Sequence, residues 1–171
     1  ALIRQHSIAP SSINAISLSV PTANAGMVNR PSPPQSRAAA LGGGQYVMAA
    51  TALRGKMDLA CFEDAMLSDA RLKDLQKKVT VAGEAALDRY FPQSWPGRVR
   101  VRLNDGRSYT NEIIVPKGER ANPMSQNDIE EKFLSLATPI LGAEGARSVV
   151  DAVESLDRRE SLKDLFSALG G

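Results

Sequence analysis

Cysteine and histidine are almost missing from this chain, with one of each in 171 residues. A lone cysteine, Cys61, excludes an internal disulfide and fits a reducing, cytoplasmic setting. It lies in Leu59-Ala60-Cys61-Phe62, an apolar stretch that reads as small core rather than nucleophile. One His and one Cys are too few for a zinc site, and neither a metal nor a cofactor is expected. No apolar run approaches the roughly 20 residues that span a bilayer, so no membrane partner is expected. Charge of one sign is lacking too. The 21 basic and 19 acidic residues leave a net charge of +2, too balanced to argue for nucleic acid. The start, Ala1-Leu2-Ile3-Arg4-Gln5-His6, has no initiator Met and no signal-like apolar stretch. A processed chain, or a piece of a longer one, is the expectation.

What is present is ordinary globular composition, 43% apolar and 23% charged. The length suits one domain with a proper core, or one domain plus an appended element. Residues 1–7 read as the last turns of a helix. Residues 13–20 alternate, with Ile16, Leu18 and Val20 on one face, as a half-buried strand does. Residues 21–35 hold four prolines and Gly26, and read as a long surface loop of the kind that borders binding sites. A helix follows, but Gly42-Gly43-Gly44 would cost it about 3 kcal/mol relative to alanines, so its start is expected near Gly44 or Gln45 and its C-cap at Gly55. Residues 58–67 read as a short helix, and Ser68 as the cap of the next, with Leu72, Leu75 and Gln76 on one face.

Val79 to Val81 is a strand candidate. Residues 98–103 and 108–115 form the clearest hairpin, around a two-residue Asp105-Gly106 turn. Its arginines, Arg98, Arg100 and Arg102, alternate with Val99, Val101 and Leu103, which favours a solvated face over a binding patch. Beyond Pro116 three helices are expected. The first starts at a capping box from Ser125 to Asp128 and carries Ile129, Phe133, Leu136 and Ile140. The second carries Ala146, Val149, Val150 and Val153. The third carries Leu162, Leu165, Phe166 and Leu169 and ends at Gly170-Gly171. The expected class is α+β: a small antiparallel or mixed sheet covered by helices over residues 1–124, then a helical segment over 125–171 that packs on it or on a domain outside the chain.

Three segments carry a resemblance. They are PQSRAAALGGGQYVMAATALRG from Pro34 to Gly55, VRVRLNDG over residues 99–106, and PKGERANPMS over residues 116–125 followed by Glu131-Lys132-Phe133. Together, and in this order, they resemble the second, smaller domain of the MmgE/PrpD family of dehydratases, decarboxylases and epimerases. The likeness spans about residues 1–169. It implies a metal-independent lyase or isomerase that removes a proton α to a carboxylate of a small polycarboxylate. It also implies a homo-oligomer, and a larger helical domain that supplies most catalytic groups.

Tyr46 is the one position the resemblance carries over as catalytic, facing a site between the two domains. Its sequence setting alone favours a core tyrosine with a locally satisfied hydroxyl. Where the family has Phe-Ser ahead of this Tyr, the chain has Gly42-Gly43. That leaves either a looser pocket, a hinge, or bare amides at Gly43 and Gly44 able to cradle an anion. Lys117 is a weaker substrate-binding candidate, with a solvated turn lysine as the default. His6 reads as a surface or interface side chain. The groups needed for proton abstraction are not visible in the chain, so inertness on its own is expected; a carboxylate-binding or assembly module without catalysis is the alternative.

Overall fold

The computed structural model describes residues 2–158 and 161–169, and divides into two units, residues 1–116 and 117–171. In the first unit, helix α1 (Leu2–Gln5) leads into strand β1 (Ile13–Val20). Helices α2 (Thr22–Val28), α3 (Arg37–Leu41), α4 (Gly44–Arg54), α5 (Asp64–Ser68) and α6 (Ala70–Gln76) follow. Then come β2 (Val79–Gly83), α7 (Ala85–Asp88), β3 (Gly97–Leu103) and β4 (Ser108–Ile113).

The fold is α+β. The sheet has the order β2-β1-β3-β4 and is mixed: β1 runs parallel to β2 and antiparallel to β3, which pairs antiparallel with β4. Register sets the faces. Val79, Ile16 and Val101 align across three strands, as do Val81, Leu18 and Val99. Side chains alternate sides along a strand, so these rows share the face that α4 covers. The next row, Thr80, Ser17, Arg100 and Thr110, is exposed. Arg98, beside that row, is held in ion pairs by Glu84 and Glu112, and Arg102 donates to Asn14 at 2.9 Å. The arginine stripe thus lies on an exposed face, and of its three members Arg98 and Arg102 are held by neighbouring side chains.

Several boundaries differ from the sequence reading. Residues 21–35 are not loop throughout, because Thr22–Val28 is helical. The cause is distant in sequence: Asp88 accepts from both the Thr22 amide and hydroxyl at 2.7 Å, capping α2 from 66 positions away. The stretch 58–67 is two pieces, a 3-10 turn at Leu59–Phe62 and then α5. The cap of α6 is Asp69, which accepts from the Arg71 amide, and not Ser68, which ends α5. The hairpin loop is three residues long, since Leu103 donates to the Arg107 carbonyl at 2.8 Å. Gly106, at φ 88°, takes the left-handed position that such a loop requires. The second strand stops at Ile113 rather than Val115.

Helix α4 starts at Gly44 and is capped by Gly55, as the three glycines predict. It packs on β2 and on α6. The core holds Ile13, Ile16, Leu72 and Cys61, and Tyr46 is the largest fully buried side chain.

The second unit begins with a turn, then α8 (Gln126–Glu154) and α9 (Lys163–Ala168). Gly142, at φ 71° and ψ 168°, breaks α8 into two arms, matching the first two expected tail helices. Ser125 and Asp128 form the capping box. The Gly170-Gly171 stop lies outside the described residues.

Candidate functional site

A cleft of about 300 Å³ opens in the first unit, lined by Arg30, residues 31–35, Ala39, Gly43 and Tyr46. Small-molecule sites have volumes of about this size and upward. A second hollow of about 440 Å³ shares Pro33, Pro34 and Gln35 with it and reaches Asp64 and Lys73.

One wall is the start of α4. Ser36 caps α3 by accepting from the Ala39 amide at 3.2 Å, and Gly43 follows as the N-cap of α4. Gly44 is a packing position. A Cβ there would lie 3.1 Å from the Val28 carbonyl and 3.2 Å from both Leu18 and Val81, so only glycine lets α4 approach the sheet this closely.

Tyr46 contributes to the lining, but it is 1% exposed and its hydroxyl donates to the Cys61 carbonyl at 2.5 Å. Its ring lies tilted against Phe62, with centroids 6.2 Å apart. Burial, and then Cys61, push the phenol pKa up. The phenol is thus a neutral donor already committed to a backbone carbonyl. A proton shuttle near neutral pH needs a shift in the other direction.

The opposite wall is the proline-rich loop, and two buried glutamines hold it. Gln45 accepts from the Arg30 amide at 2.8 Å and donates to Asn29 at 2.5 Å. Gln76 donates to the carbonyls of Pro31 and Ser32 at 3.2 and 3.3 Å. Both side chains are nearly inaccessible, and the Gln76 carboxamide oxygen is buried without a hydrogen bond. Arg30 is the only charged residue lining the cleft. The sequence reading placed Gln45 at a helix start and Gln76 on a helix face but gave neither of them, nor Arg30, a part in a site. The dipeptide Arg30-Pro31 after an apolar segment was the one visible signal, and only the fold brings it beside Gly43.

Lys117 belongs to the second unit, where its ammonium ion-pairs with Asp128 at the head of α8. His6 is exposed and stacks on Tyr109 with ring centroids 4.1 Å apart. Among the described residues, no three His, Cys, Asp or Glu side chains are grouped to hold a metal, and no helix is long and apolar enough to cross a membrane.

The chain is 28% identical to the cis-aconitate decarboxylase of Homo sapiens, over 99% of its own length and 35% of that protein. It is 27% identical to the mouse cis-aconitate decarboxylase, over all of its length and 36% of that protein. It is 30% identical to the cis-aconitate decarboxylase of Aspergillus terreus (strain NIH 2624 / FGSC A1156), over 72% of the chain and 26% of that protein. The chain therefore spans about a third of the length of the curated relatives it matches. The model of the MmgE/PrpD C-terminal domain matches residues 1–158, and the chain belongs to the MmgE/PrpD family.

Proposed function

We propose that this chain is the smaller, C-terminal part of a lyase of the decarboxylase or dehydratase kind that acts on a small polycarboxylate. The cleft between α4 and the proline-rich loop is its contribution to the active site. The observation that carries this is the cleft's make-up: a small-molecule-sized space with one cationic residue, in a chain whose relatives are cis-aconitate decarboxylases.

Proton abstraction α to a carboxylate needs a base of tuned pKa and cations facing the developing charge. Of these, the cleft's residues offer a single cation and no carboxylate or imidazole. The base then comes from a larger helical domain, and the 171 residues alone are inert. Tyr46 has two routes to a role. It shapes the cleft wall, or its hydroxyl leaves the Cys61 carbonyl for a substrate carboxylate. Gly43 lines the same wall, Gly44 lets α4 seat behind it, and Lys117 is the weakest candidate because Asp128 already holds it. The single, buried and unpaired cysteine suits a reducing, cytoplasmic setting.

The test follows cis-aconitate by proton NMR. The purified chain is expected to leave it unchanged, while the chain joined to a family-type helical domain consumes it. Turnover by the 171 residues alone refutes the inert reading, and no turnover by the joined protein refutes the lyase assignment. In the joined protein, Tyr46→Phe separates the two routes: a fall in kcat with unchanged KM places the hydroxyl in the reaction, and unchanged kinetics place it in the wall.

A second reading, a binding or assembly module, draws support from the tail. Ile140 is 82% exposed and Phe166 60%, with Ile129 and Val153 near half. Apolar side chains so placed suit a partner surface or a second copy. Sedimentation equilibrium distinguishes these, since a monomer at high concentration counts against self-assembly.

A further inference from the structure

We infer that Arg30 is the side chain that anchors a substrate carboxylate in the cleft; this rests on the polycarboxylate reading above and adds the residue that selects the ligand. Three observations converge on it. Arg30 is the cleft's only charged lining residue. Its side chain is exposed, and among the described residues no carboxylate pairs with it. Arg54, Arg71, Arg98, Arg107 and Arg147 are each in an ion pair with a carboxylate, so their charge is already engaged. An arginine left unpaired at the rim of a small-molecule-sized cleft is available to an incoming anion.

Its placement is built rather than incidental. The Arg30 amide is held by buried Gln45, one residue from Tyr46 on α4, and the next two carbonyls are held by buried Gln76 on α6. Two helices thus fix the backbone on which the guanidinium is carried, and Pro31 adds its own stiffness. On the other side, a Cβ at Gly42 would come within 3.4 Å of the Arg30 Nε. Gly42 thus sits beside the guanidinium without a side chain to cover it. A planar guanidinium takes a carboxylate through two parallel hydrogen bonds, a geometry a lysine does not reproduce. The ligand class that fits is a small di- or tricarboxylate with one carboxylate at Arg30 and its carbon skeleton against Gly43, Ala39 and the Tyr46 ring.

The experiment is a citrate titration of the 15N-labelled 171-residue chain, followed by amide chemical shifts, with sodium chloride at matched ionic strength as the control. Citrate-specific shifts are expected at residues 30–46. Arg30→Gln is expected to weaken apparent citrate affinity about tenfold or more, as loss of a charge-assisted pair does. The variant's amide dispersion should match the parent's, because the exposed guanidinium holds no other element in place. Arg30→Lys, keeping charge without the fork, is expected to bind between the two. Citrate shifts in the cleft that survive Arg30→Gln at full affinity overturn this inference and leave the cleft reading standing. Absence of citrate-specific shifts in the parent chain overturns the cleft reading and the Arg30 anchor with it.

Discussion

The two units of this chain bury very different things. In the first, residues as large as Tyr46, Ile13, Ile16 and Leu72 are 2% exposed or less. In the second, the buried positions are Ala146, Val149, Val150 and Ala152, while Ile129, Leu136, Ile140, Leu156 and Phe166 remain open. Both stretches carry apolar residues at helical spacing. What separates them is a sheet: β1 and β2 give α4 a surface to cover, and among the described residues the second unit contains no strand. An apolar stripe predicts a helix well, but it does not predict that the stripe is covered within the same chain.

The sharpest way to break that contrast is a pair of truncations. Leu72→Ala, at a fully buried position, is expected to cost about 2–5 kcal/mol in urea unfolding. Ile140→Ala, at 82% exposure, should fall within about 0.5 kcal/mol of the parent. Equal costs would mean that the second unit hides a core of its own. Next in size is Gln45→Leu, which strands the Arg30 amide and the Asn29 carboxamide beside a buried site. A loss of about 1–3 kcal/mol is expected by the same unfolding measurement. An unchanged midpoint would show that the proline-rich loop stands without its glutamine clamp.

The smallest effect is electrostatic. The Lys117 ammonium, with the Ser125 hydroxyl and amide, holds the Asp128 carboxyl at a pKa of about 2. Its folded pKa lies below the unfolded value of about 3.9, so its contribution is present above that value and lost as pH falls toward about 2. Helicity followed by circular dichroism should therefore drop over that acid window, and Asp128→Asn should lose part of the drop. Asp58 and Asp69, also held at about 2, give the first unit a parallel acid response. A variant as acid-sensitive as the parent would remove Asp128 from the account.

Much of this architecture could be read from residue order. Alternation over residues 13–20, the glycine-delayed start of α4 and the Ser125 cap are local patterns that appear where they were expected, and the hairpin appears with a longer loop and a shorter second strand. Local departures moved a cap or a strand end by one or two residues, and the largest departure came from a partner far along the chain. Helix α2 depends on Asp88, which no window around Thr22 contains. The parallel pairing of β1 with β2 likewise joins segments some 60 positions apart, as in Ile16 with Val79. Of the cleft, Tyr46 and Gly43 were readable through the family resemblance. Arg30 was not, because a lone arginine ahead of a proline has no chemistry until Gln45 and Gln76 fold beside it.

The mixed sheet has a consequence for how this protein acquires, and changes, its cleft. Between β1 and its parallel neighbour β2 the chain makes one crossover, residues 21–78, and Arg30, Gly43, Gln45, Tyr46 and Gln76 all lie on it. The β1–β3–β4 portion of the sheet contributes none of them. Pairing of β1 with β2 ties together the two ends of the segment that carries the cleft. Over evolutionary time the same arrangement acts as a cassette. Lengthening such a crossover adds only a slowly growing closure penalty, about 0.6 kcal/mol per doubling for a flexible segment. Residues around the cleft can therefore be exchanged or inserted while the hairpin keeps its register.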